Sequence, residues 1–178
     1  MGETALFLAA RVGHESIVSL LIDSNVDISA QDKDGKTALF QAEANGCDGV
    51  VRLLIDCGAD VSPKDRFRIT PLHEAVKQGC DGTVRVLIDK GADISAVSKG
   101  RTALHITTGR RGRHSEAIVR QLINNGIEIS AVDRNVRTAL HYAAMKLNAK
   151  FARLLLELGA DNSIKGRRRE NCAGPDRP

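Results

Sequence analysis

The chain has 178 residues, with 26 basic and 22 acidic side chains, a net charge of +4, 3% aromatic residues and no tryptophan. A core with so few large rings must be aliphatic, which suits thin layers of short helices. The segment from Lys165 onward carries +3 and the run Gly109-Arg110-Arg111-Gly112-Arg113-His114 another +3, leaving the rest near −2, so the body is not a generally basic, nucleic-acid-like domain.

The chain opens with Thr4-Ala5-Leu6-Phe7, passes Gly13-His14 and reaches Asn25-Val26-Asp27. Its apolar run from Ala5 to Ala10 is too short for a signal peptide or a membrane span and lacks a basic start. Met1-Gly2 begins like a myristoylation signal, but Leu6 stands where that signal needs Ser or Thr.

A second stretch has the same order and shows its logic. Asp34-Gly35 marks a tight turn, and Thr37 of Thr37-Ala38-Leu39-Phe40 sits where a helix N-cap belongs. Leu39 and Ala42 share one face of a short first helix, and Gly46 can take the left-handed conformation that ends it. Val50, Val51, Leu54 and Ile55 have the apolar spacing of a second helix, closed by Cys57-Gly58-Ala59-Asp60. Glu43 is unusual, an acid at a position expected to be small and buried.

The third stretch carries Thr70-Pro71-Leu72-His73 and Gly91-Ala92-Asp93. The fourth carries Thr102-Ala103-Leu104-His105 and Gly126-Ile127-Glu128. It is one residue shorter before Thr102 and three longer between its helices, where the Gly/Arg run is expected to bulge. The fifth has Thr138-Ala139-Leu140-His141, then Phe151, Leu154, Leu155, Leu156 and Leu158, and closes on Gly159-Ala160-Asp161.

The five threonines are spaced by 33, 33, 32 and 36 residues. A period near 33 marks a solenoid whose units cover one another's apolar faces, and five units exceed the minimum of about three that such stacks need. The phrases Thr-Pro-Leu-His, Gly-His and Gly-Ala-Asp, in this order and register, resemble the ankyrin repeat over roughly residues 2–165. The resemblance implies an all-α repeat solenoid of stacked helix-turn-helix units with β-hairpin loops. The expected units are about 1–33, 34–66, 67–98, 99–134 and 135–165, followed by a basic, disordered tail over 166–178.

Several positions depart from the family pattern. Phe7 and Phe40 replace the signature His, removing side-chain bonds between adjacent hairpins. Arg68 and Val136 stand where the turn usually has Gly, and Leu147 replaces the glycine between the helices of the fifth unit. The first and last units keep apolar residues where a capping unit needs a polar face, so end-to-end self-association or a longer array is expected.

No constellation for catalysis emerges. His73, His105 and His141 are signature positions and His14 follows the helix-breaking glycine, while His114 has no nucleophile or carboxylate at a fixed spacing. Cys47 and Cys80 occupy the same place in adjacent units, too far apart for a disulfide. With Cys57 and Cys172 they read as reduced thiols, without metal-ligand spacing. No phosphate-binding glycine loop occurs. The expectation is a non-enzymatic chain without metal or cofactor, in the cytoplasm or nucleus.

Ankyrin units form a concave groove lined by hairpin tips and the exposed side of each first helix. Those positions here are Lys33, Asp34 and Lys36; Arg66, Phe67 and Ile69; Lys99 and Arg101; and Arg134, Asn135 and Arg137. The first helices add Arg11, Val12, Ala44, Asn45, Lys77, Gln78, Arg110, Met145 and Lys146. With the turn aspartates Asp32, Asp65 and Asp133 set aside as hairpin residues, the only acids expected nearby are Asp34 and Glu3, whereas the second helices expose Glu15, Asp23, Asp48, Asp56, Asp81, Asp89, Glu116 and Glu157.

The reading is a protein-binding scaffold whose basic groove takes an acidic protein segment, with Phe67, Tyr142 and Met145 as apolar anchors. An alternative uses Arg110, Arg111 and Arg113 with Arg167, Arg168 and Arg169 as contacts for nucleic acid or an anionic surface, or as a nuclear import signal. These runs lack interleaved aromatics for base stacking. A repeat segment of a larger receptor-like protein is a further alternative.

Overall fold

The computed structural model describes residues 3–107 and 113–167. Among these residues ten helices follow one another: α1 (Ala5–Val12), α2 (Glu15–Asp23), α3 (Ala38–Ala44), α4 (Asp48–Asp56), α5 (Pro71–Gln78), α6 (Asp81–Asp89), α7 (Ala103–Thr107), α8 (Arg113–Asn124), α9 (Ala139–Met145) and α10 (Ala149–Glu157). Each odd-numbered helix packs on its even-numbered successor, and each also packs on its counterpart in the next unit from α1 through α9. The result is an all-α repeat stack of two helical layers.

The threonine phrase starts every first helix for a local reason. Thr4, Thr37, Thr70 and Thr138 are N-caps with extended backbone. In units three and five the threonine hydroxyl and the histidine three residues on form a reciprocal capping pair. The leucine two residues after the threonine is buried in each of the first four units, as Leu6, Leu39, Leu72 and Leu104. Val18, Val51, Val84 and Val119 form a matching buried row along the second helices. Full burial of one such side chain contributes about 1.5–3 kcal/mol, and these rows run from unit to unit as one core.

The loops between units are closed turns with little strand: the pair Ser98–Arg101 is the one β-bridge among the described residues. In three turns an aspartate organises the loop. Asp32 Oδ1 accepts from the amides of Asp34 and Lys36, Asp65 Oδ1 from Phe67 and Ile69, and Asp133 Oδ1 from Asn135 and Arg137, at 2.7–3.0 Å. The shorter fourth turn has only Lys99 and Gly100 at its tip, with φ of 52° and 80°. Two successive positive φ values are what a two-residue hairpin turn requires. Arg68 and Val136 also adopt positive φ, at 60° and 55°, as does Leu147 at 53°. These side chains therefore occupy a backbone region that favours glycine.

The expected apolar face of the fifth unit is mostly core. Phe151, Leu154 and Leu155 are buried because they point back into the stack, and the exposed residues on α10 are Ala149, Lys150, Arg153, Leu156 and Glu157. Unit one differs. Ile17 and Leu20 are 46% and 65% exposed, whereas Val50, Thr83 and Phe151, which hold the register of Ile17 in other units, are buried against the preceding unit.

Acids on the second helices are partly used as ties between units, not left as a free face. Thr83 donates to Asp48, Lys90 pairs with Asp56 at 2.8 Å, and Lys150 pairs with Glu116 at 3.2 Å.

Candidate functional site: a basic cleft on the concave face

The turn tips and the open sides of α5, α7 and α9 enclose a cleft of about 730 Å³. Its lining follows the repeat register. The fourth residue after each threonine contributes Glu74, Ile106 and Tyr142, and the seventh contributes Lys77 and Met145. The turns contribute Ile69, Lys99, Arg101, Arg134, Asn135 and Arg137, and Lys146 completes the rim. The cleft thus brings together ten of the sequence-selected residues: Ile69, Lys77, Lys99, Arg101, Arg134, Asn135, Arg137, Tyr142, Met145 and Lys146.

The others lie apart from it. Lys36 lines an adjoining recess of about 80 Å³ with Gln41 and Ala44, which shares Ile69, Glu74 and Lys77 with the cleft, and Lys33 is exposed outside both. Arg66 is paired with Asp34 at 2.9 Å. Phe67 is 44% exposed at a turn tip, with the cations of Arg66 and Lys99 lying 4.6 and 4.7 Å from its ring centre. Those cations already occupy its ring, so Phe67 is an anchor within the protein as well as a surface residue. Arg110, Arg111, Arg168 and Arg169 lie outside the described residues, as does the side chain of Arg113. Arg167 is exposed, its amide donating to the Asn135 carbonyl at 2.9 Å, which sets it beside the last turn tip.

Several polar groups lining the cleft satisfy one another. Tyr142 donates its hydroxyl to Asp133 Oδ2 at 2.7 Å, and its ring meets His105 edge-on at 5.8 Å. Burial pushes the Tyr142 phenol up, and the Asp133 hydrogen bond adds to the shift. Burial alone would raise the Asp133 carboxyl, but the Tyr142 hydroxyl and the Arg137 and Asn135 amides outweigh it and hold Asp133 below its ordinary range.

His105 Nδ1 lies 2.8 Å from Thr102 Oγ1 and accepts from the Thr102 amide, leaving Nε2 to donate to the Arg137 carbonyl at 3.0 Å. Burial lowers its pKa, so the ring is neutral at pH 7 and serves as a tie between units four and five. His73 makes the same local pair with Thr70, but its Nε2 has no hydrogen-bond partner of normal geometry.

The rim is where charge remains uncompensated. Lys99, Arg101, Arg134, Arg137 and Lys146 have no ion-pair partner among the described residues, and Arg101 lies 5.9 Å from the Tyr142 ring centre. One acid in the cleft escaped the sequence reading. Glu74 accepts from Lys77 Nζ at 3.0 and 3.1 Å and from Gln78 Nε2 at 2.7 Å, so Lys77 is neutralised in place. The signal was available, because Glu74 holds the same register as Tyr142.

Among the described residues no group of three or more His, Cys, Asp or Glu side chains is arranged to hold a metal ion. No helix of these residues is long and apolar enough to cross a membrane. A model of ankyrin repeats, in three copies, matches residues 1–65 and 72–166 of the chain.

Proposed function

Since the chain belongs to the ankyrin repeat family, whose members generally act in protein–protein interaction, we propose that it is a non-catalytic binding scaffold whose cleft over units three to five docks an acidic protein segment. The observation that carries this reading is the set of five unpaired cations around one concave cleft. Cations without internal partners keep their field available to a ligand, and a concave wall focuses it. The charge speeds encounter and sets register, while contacts at the base of the cleft determine how long the partner stays.

The test is binding of a fluorescent oligo-glutamate peptide followed by anisotropy. Lys99→Glu/Arg134→Glu/Lys146→Glu removes three exposed rim charges that carry no ion pair. It is expected to weaken binding by roughly tenfold or more, and added salt to weaken binding to the unaltered chain. Arg52→Glu/Arg85→Glu/Arg153→Glu, three exposed arginines on α4, α6 and α10 with no ion pair among the described residues, serves as the charge-matched control and is expected to change it little. Equal effects of the two variants would remove the cleft from the reading. Displacement of the peptide by duplex DNA at lower concentrations than by free oligo-glutamate would assign these cations to nucleic acid.

A further inference from the structure

Resting on that acidic-segment reading, we propose that the cleft selects a segment in which one bulky apolar residue is bracketed by acidic residues, and not a uniformly acidic stretch. The distribution of polar partners within the cleft carries the inference. Its lining includes Ile69 and Ile106, both half-buried, and Met145, 58% exposed. The polar side chains beside them are mostly partnered: Tyr142 on Asp133, Glu74 on Lys77 and Gln78, and His105 on Thr102 and Arg137. The Nε2 of His73, which makes no hydrogen bond of normal geometry, is buried away from a ligand.

An acidic side chain pushed against these apolar groups meets the carboxylates of Glu74 and Asp133 and leaves its water without replacement. An apolar side chain there covers Ile106 and Met145 and removes their surface from water. Of the unpaired cations, Lys99, Arg134 and Lys146 are exposed and Arg101 and Arg137 half-buried, so flanking acids reach them around the apolar side chains while still partly hydrated. Apolar lining among unpaired cations therefore divides the work between residue types along one bound segment. The volume of about 730 Å³ lies within the roughly 300–1,000 Å³ of ligand-sized clefts, so it accepts a local feature and not a whole domain.

Three fluorescent peptides of equal length distinguish the possibilities: acidic with a central Leu, acidic with a central Ala, and the central Leu flanked by Asn and Gln. The full chain is expected to bind the acidic Leu probe roughly tenfold more tightly than the acidic Ala probe. Met145→Ser, at an exposed position with no hydrogen bond to lose, is expected to shrink that ratio by weakening the Leu probe more than the Ala probe. Equal, salt-sensitive affinities for the two acidic probes would overturn the apolar selection and leave acidic docking standing. Acidic probes that bind no better than the Asn/Gln probe, or no binding by any of them, would overturn both.

Discussion

Glu43 is the residue whose surroundings contradict its chemistry most directly. It is 1% exposed, and neither carboxyl oxygen has a hydrogen-bond partner. Burial raises its pKa well above the ordinary value of 4.5, and the Glu74 carboxylate adds to the shift. In the unfolded chain the group ionises near 4.5, whereas in the folded chain it keeps its proton to higher pH. The folded state therefore holds more protons above 4.5, and stability falls as pH rises from there through the folded pKa. Glu43→Met keeps an unbranched chain of similar size and removes the orphaned oxygens, so it is expected to stabilise by about 1–3 kcal/mol. Thermal melts between about pH 5 and about pH 8 should show the gap over the parent widening with pH, and Glu43→Gln should lose the pH slope without the full gain. A constant gap would mean that the carboxyl is not proton-linked to folding. The register alone, with Ala10, Val76 and Ala144 at the equivalent positions, made Glu43 visible in the sequence. That no partner turns toward it is a property of packing, and no pattern along the chain could carry it.

At the scale of the element, the helices and turns were almost wholly legible. Thr caps, Gly stops and Asp turns act within four or five residues of themselves, which is the range a sequence pattern reports. What reaches across units was less legible. The signature histidines look alike, yet His105 Nε2 lies 3.0 Å from the Arg137 carbonyl of the next turn, while His73, beside the equivalent Arg101 backbone, makes no hydrogen bond of normal geometry through Nε2. The turn that follows His73 is the shortened one at Lys99-Gly100, so equivalence in the repeat does not guarantee equivalent hydrogen-bond geometry. His105→Ala and His73→Ala remove the same side-chain volume from equivalent buried sites. The His105 variant is expected to lose more stability, by about 0.5–1.5 kcal/mol for the extra bond between units, in urea or thermal unfolding. Matching losses would show that the Nε2 contact contributes nothing net. The cleft had the same limit: the cations were countable from sequence, but that Glu74 neutralises Lys77 while the turn-tip cations stay unpaired depends on side-chain reach.

On the scale of the whole molecule, stability in a stack is close to a sum of unit terms and nearest-neighbour terms, so defects in adjacent units concentrate opening there. Units one and two collect such defects. Phe7 and Phe40 supply no histidine tie, Thr37 Oγ1 is buried without a partner, Glu43 lies in α3, and Ile17 and Leu20 of α2 remain exposed. Units four and five have the His105–Arg137 tie, the Tyr142–Asp133 bond and the Lys150–Glu116 pair. Hydrogen exchange followed by mass spectrometry is expected to show α1 to α4 exchanging faster than α5, α6, α9 and α10. Glu43→Met should slow exchange in α3 and α4 and leave α9 and α10 near their original rates. One common rate across the stack would mean that it opens only as a whole. The helix packing runs the other way, since α1 and α3 share a larger contact than α7 and α9, so the exchange pattern decides whether packing or polar ties dominate. If units four and five exchange more slowly, the cleft's cations are held in register before a partner arrives and less ordering is left for binding to impose. Saturation with the acidic Leu peptide should then protect the turns at 98–101 and 133–137 while α1 and α2 continue to exchange at their free rate.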